Sequence, residues 1–118
     1  AGTDAVGLVQ RAQRVVDAGA LEAAVRAMDG HGAHASVQEG ACWALGNICA
    51  GIDAAGGQRR VRAVDAGALE AAVRAMDRHW AHAGAQVAAC WVIRNICVGK
   101  DATGRECAQR AADAGALE

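Results

Sequence analysis

Apolar side chains fall at Leu21, Ala24, Val25 and Met28, and again at Leu69, Ala72, Val73 and Met76. Spacing of i, i+3, i+4, i+7 draws one stripe along a cylinder, so each set predicts an amphipathic helix of about three turns. Gly19 and Gly67 stand just before these stripes. Glycine there can take positive φ and let the preceding helix stop and turn sharply. Glu22 and Glu70 fall in the first turn, where a carboxylate suits the helix dipole. A second pattern, Val37, Ala41, Leu45 and Ile48, predicts the buried side of a longer helix over about 36–50, with a counterpart over about 84–98. Ser36-Val37-Gln38-Glu39 has the S-x-x-E form of a capping box. Gly84 and Val87 replace the serine and glutamate in the counterpart, so its cap is expected to be weaker. A shorter helix, about Val9 to Asp17 and about Gln58 to Asp65, leads into each glycine turn.

These patterns are copies of one another. V-D-A-G-A-L-E begins at Val16 and again at Val64, 48 residues on, and a third D-A-G-A-L-E starts at Asp113. Ala41-Cys42-Trp43 returns as Ala89-Cys90-Trp91, and Asn47-Ile48-Cys49 as Asn95-Ile96-Cys97. Aligned without gaps, about 30 of 48 positions are identical between residues 15–62 and 63–110. The connections repeat too: Gly2 to Gly7 resembles Gly51 to Gly56 and Gly99 to Gly104. The chain therefore divides into the end of a preceding unit plus a short first helix (1–16), two tandem units (17–64 and 65–112) and the start of a third middle helix (113–118). Self-similarity at such a period is the mark of a stacked solenoid, in which each unit buries its apolar face on its neighbours.

With D-A-G-A-L-E at three places and W-x-x-x-N at two, Trp43-Ala44-Leu45-Gly46-Asn47 and Trp91-Val92-Ile93-Arg94-Asn95, the chain resembles the armadillo-repeat family. The likeness is to its importin-α branch in particular. It implies an all-α, right-handed solenoid of three-helix repeats, here lengthened to a period of 48. It also implies a concave groove lined by third helices, where asparagines bond the main chain of an extended peptide and tryptophans flank its side chains. On that likeness Trp43, Asn47, Trp91 and Asn95 are the expected peptide-binding residues. A two-helix HEAT-like unit is the alternative fold, and the glycine turn plus W-x-x-x-N favours armadillo.

Helical geometry is consistent with this. Trp43 and Leu45 lie about 200° apart at 100° per residue, so if Leu45 faces the core then Trp43 and Asn47 face away. Asparagine offers a donor and an acceptor to a peptide backbone, and tryptophan a flat apolar surface beside it. Two departures matter. The unit is several residues longer than the family's, and Arg94 stands beside the ladder where the first copy has Gly46. A fixed positive charge there argues against a preference for basic peptides.

Composition narrows the classes further. The chain is 53% hydrophobic but only 3% aromatic, with no Phe, Tyr or Pro, which suits closely packed helices. A net charge of −1 lacks the basic surplus expected of a nucleic-acid or anionic-membrane binder. No apolar run reaches a membrane span. No secretion signal is evident, and five cysteines suit a reducing, intracellular compartment. Cys42 and Cys49, like Cys90 and Cys97, are expected to be buried thiols. His31-x-x-His34 and His79-x-x-His82 lack further ligands for a metal and are read as solvated loop residues. Trp80, replacing Gly32 in a polar loop, is either a contact residue or a cover for the loop. No nucleophile–base pair, phosphate loop or paired carboxylates emerge, so neither an enzyme nor a cofactor is expected.

Three functions fit these residues. The first is a protein-interaction module binding an extended peptide through Trp43, Asn47, Trp91, Asn95 and Arg94. The second is a structural unit stacking head-to-tail into a longer array or filament, its ends marked by Val15, Val16, Ala111 and Leu117. The third is an excised or engineered fragment with no independent function.

Overall fold

The computed structural model describes residues 2–50 and 54–97, together with 109, 112 and 113. Six helices follow one another: α1 (Gly2–Asp17), α2 (Ala20–Gly30), α3 (Ala35–Ile48), α4 (Ala54–Asp65), α5 (Ala68–Arg78) and α6 (Ala83–Cys97). No strand occurs among the described residues. Gly19 and Gly67 adopt φ of 88° and 91°, and they break α1 from α2 and α4 from α5 where the D-A-G pattern places the turn. A side chain at that φ would be strained, so glycine is the residue that fits.

The first middle helix buries Leu21, Val25 and Met28 of its predicted stripe, with Ala24 half-buried. In the second, Leu69 and Ala72 are buried but Val73 and Met76 only partly, and Ala71 and Ala75 take the buried side with them. The broadest helix-on-helix contact is α3 against α6, the two third helices, and the two middle helices α2 and α5 also touch. The core thus runs through both units, with Leu45, Cys42, Val92 and Ile96 fully enclosed between them.

Three local expectations change. The connection read at Gly2–Gly7 is the first part of α1, and α4 already begins at Ala54, so Ala54-Ala55-Gly56 is helical as well. Glycine costs on the order of 1 kcal/mol in a helix, and tertiary packing overrides that here, with Gly56 buried. The capping box does not form. His34 is the N-cap of α3, Ser36 lies inside the helix, and no side chain bonds the cap. The copy expected to be weaker is the one that is capped: His82 Nδ1 accepts the Ala85 N–H at 3.0 Å. Finally, Val16 is not an open end but a core residue, whereas Val15 is 42% exposed. One residue turns the helix by about 100°, and that turn carries Val16 onto α2. Ala111 and Leu117 lie outside the residues whose side chains are described.

Hydrogen bonds that the repeat pattern did not foretell hold the units together. Gln38 Nε2 donates to the carbonyls of Met28 and His31, both at 3.0 Å. Gln86 does the same for Met76 at 2.8 Å and His79 at 3.0 Å, each residue 48 positions on. These are the orphan carbonyls at the end of each middle helix, satisfied from the third helix. Arg59, buried on α4, donates through Nε to Ile48 O at the end of α3 (3.1 Å). Two exposed ion pairs tie α4 and α5 to α2, Arg62 to Glu22 at 2.8 Å and Arg74 to Asp29 at 2.7 Å.

Candidate functional site

The α3–α6 seam gathers the residues singled out in the sequence. Gly46 is buried and Trp91 lies over it; a β-carbon on Gly46 would sit 2.8 Å from Trp91 Nε1 and 3.0 Å from Cγ. The bare backbone is therefore a socket for the indole. From that seat Trp91 Nε1 donates to Asn47 Oδ1 at 3.1 Å, and Asn95 Nδ2 donates to Gly46 O at 2.9 Å. Trp43 and Trp91 stand with ring centroids 6.3 Å apart and planes tilted by 50°, a favourable separation for an aromatic pair. In the second unit the tryptophan and asparagine of W-x-x-x-N thus form a clasp onto the first.

The two asparagines are not equivalent. Asn95 is 7% exposed, with its amide nitrogen committed to the Gly46 carbonyl. Asn47 is exposed, accepts from Trp91, and makes no bond through Nδ2 among the described residues. Each third helix has one side for the unit before it and another for the unit after. Ala85, Ala88, Ala89, Val92 and Asn95 face back and are buried, while their counterparts Val37, Gly40, Ala41, Ala44 and Asn47 are partly or fully exposed. Conversely Cys42, Leu45, Gly46 and Cys49 face forward and are covered by the second unit, while Cys90, Ile93, Arg94 and Cys97 are less buried.

Cysteine behaviour follows from that asymmetry. Cys42 and Cys49 are buried as expected, and desolvation pushes the Cys42 thiol up to about 12. Cys97 is half-buried and raised by the same cause. Cys90 is exposed, contrary to expectation, because the side that shelters Cys42 is open on α6. All four are free thiols.

Trp43, Gln86, Val87, Cys90, Trp91 and Arg94 line an open trough of about 360 Å³. Its walls are mostly apolar: Trp43 is 37% and Val87 56% exposed. Among the described residues no carboxylate lines it, and Arg94 is the one charged residue that does. The histidines play structural parts elsewhere. His79 Nε2 meets Gly32 O at 2.8 Å across the unit boundary, and His82 is the N-cap of α6. Among the described residues no cluster of three or more His, Cys, Asp and Glu side chains is arranged to hold a metal. Trp80 is 79% exposed beside His79 and His82, as a contact residue would be.

Residues 10–50, from within α1 to just past α3, match the Armadillo/beta-catenin-like repeat, which supports the likeness to the armadillo-repeat family. No curated protein and no solved structure matches it. Armadillo repeats are generally protein-interaction modules, typically without enzymatic activity. No helix among the described residues is long and apolar enough to cross a membrane.

The sequence brought Trp43, Asn47, Trp91, Arg94 and Asn95 to one place, and the seam holds them all. It missed the socket at Gly46 and the paired glutamines. The signals were present: Gln38 and Gln86 are the same residue at the same place in both copies, near the start of the third helix, and Gly46 is the small residue that Arg94 replaces.

Proposed function

We propose that this armadillo-like chain is a non-enzymatic interaction module that takes an extended peptide segment in the trough between Trp43, Val87, Cys90, Trp91 and Arg94. Its two repeats form part of a right-handed solenoid of period 48. The observation that carries the reading is the coincidence of exposed indole surface at Trp43 with the unbonded Nδ2 of Asn47, one turn further along α3. An apolar side chain of the ligand lies against the tryptophans, and Asn47 donates to a ligand carbonyl. Asn95, turned into the seam, has a structural part. The free thiols suit a reducing, intracellular setting.

A display library of random linear heptapeptides, selected on the purified chain, tests this. Selected peptides should bind in the micromolar range, and Trp43→Ala should weaken them about tenfold or more, since truncated aromatic anchors cost upwards of roughly 1–2 kcal/mol. Far-ultraviolet circular dichroism checks that the variant keeps its helices. No selected binder, or binders indifferent to Trp43, would sink the reading.

Head-to-tail stacking is the second reading, favoured by the open forward side of α6 at Cys90, Ile93 and Cys97. One feature weighs against it. A second copy placing Trp43 on α6 as Trp91 sits on α3 needs the empty socket of Gly46, and finds the Arg94 side chain there.

A further inference from the structure

Resting on the trough as a peptide site, we propose that Arg94 selects its ligand: an extended segment with an Asp or Glu side chain next to an apolar one. Arg94 is exposed and makes no ion pair among the described residues, whereas Arg62 and Arg74 are paired with Glu22 and Asp29. It stands at the edge of a floor made of Trp43, Trp91, Val87 and Cys90, with no carboxylate among the described residues of the lining to neutralise it. A guanidinium beside low-dielectric walls attracts a carboxylate more strongly than one in open water, and its planar fork binds both oxygens together. A basic side chain in the same place meets a like charge and is repelled.

The size of the trough agrees. About 360 Å³ accommodates a few side chains of an extended strand, and is small for an α-helix, which is about 10 Å across. A single-stranded nucleic acid would also stack on tryptophan, but it carries a phosphate at every step and needs a cationic track. The lining supplies one cation only, and the whole chain has a net charge of −1. Arg94 also accounts for a difference between the copies. Where Gly46 receives the next unit's indole, Arg94 keeps the corresponding position on α6 from receiving one, and so keeps it open to a ligand.

The heptapeptide selection discriminates these points when run on the wild type and on Arg94→Glu. Wild type should enrich Asp or Glu beside Leu, Ile or Phe, and synthetic peptides with that acid changed to Gln should bind roughly tenfold more weakly. Arg94→Glu should lose acidic peptides and enrich Lys or Arg at the same place, while Trp43→Ala weakens both sets. Affinity of the acidic peptides should fall as salt rises from 50 to 500 mM, by screening. Enrichment that is basic, or acidic to the same degree on Arg94→Glu, overturns the role of Arg94 while leaving the trough intact if Trp43→Ala still abolishes binding. Binding that survives Trp43→Ala overturns the trough itself. An octauridylate that binds the wild type as tightly as the selected peptides overturns the peptide assignment.

Discussion

Gly46 and Gly40 offer a matched pair for the clasp. Both lie in the interior of α3, six residues apart, but a β-carbon on Gly40 meets nothing within 4 Å while one on Gly46 falls on the Trp91 indole. In each case alanine improves helix propensity by about 1 kcal/mol. Gly40→Ala should therefore stabilise the chain by about that amount. At Gly46 the gain is set against overpacking, about 1–3 kcal/mol, and against loss of the Trp91–Asn47 hydrogen bond, about 1 kcal/mol. The net effect is a destabilisation of about 1–3 kcal/mol, so the two variants should differ by about 2–4 kcal/mol. With a urea slope near 2 kcal/mol/M that is a midpoint difference of about 1–2 M. Urea unfolding followed by circular dichroism measures it, and tryptophan emission of Gly46→Ala should shift to the red as the indole leaves its socket. Adding Trp91→Ala removes the obstacle, so the Gly46→Ala penalty should shrink sharply in the double variant. Equal midpoints for Gly40→Ala and Gly46→Ala would refute the socket.

Thiol chemistry should rank the cysteines by the side of the helix they occupy: with a disulfide reagent at pH 8, Cys90 reacts first, Cys97 more slowly, and Cys42 scarcely until the chain unfolds. Mass spectrometry of the labelled peptides reads the order. The Arg62 side chain holds Glu22 below its usual 4.5, chiefly through their hydrogen bond. A carboxylate whose folded value is depressed contributes stability above 4.5 that is lost as pH falls through the lower folded value. Arg62→Gln should therefore flatten the acid limb of the stability curve below pH 4.5, and by less than about 1 kcal/mol because both side chains are well exposed.

Much of the fold was legible because it depends on local rules repeated twice. The stripe Leu21, Val25, Met28 has one period and one partner surface, and Gly19 and Gly67 have one conformational task; both were read correctly. Helix limits were less legible. Nothing local distinguishes Gly2–Gly7 as helix from a connection. The cap at α3 failed for a different reason: Ser36 and Glu39 have the right spacing, but the helix starts one residue earlier, and Glu39 lies instead against Gly84, where the second copy has no side chain.

The site was legible in its members and not in their roles. Reasoning from one helix with one buried side put Trp43 and Asn47 outward, and that holds for them. A third helix in a stacked array has two buried sides, backward and forward, and a residue's exposure depends on which neighbours are present. The same W-x-x-x-N motif is accordingly an open surface on α3 and a closed clasp on α6. Asn47 and Asn95 have the same chemistry and the same local sequence position, but only Asn95 has a Gly46 carbonyl in front of it. Ligand recognition and unit stacking then compete for the same atoms. An asparagine that holds the preceding unit through Nδ2 has no amide proton left in that direction for a peptide, so an array of identical clasps would be rigid but without donors at the seam. Arg94 breaks that uniformity at the forward side of α6, where a glycine would continue the series and a charged side chain interrupts it. The difference between Gly46 and Arg94 is one of about 18 between the two units, and on the proposed reading it separates a surface covered by another repeat from one left for a partner.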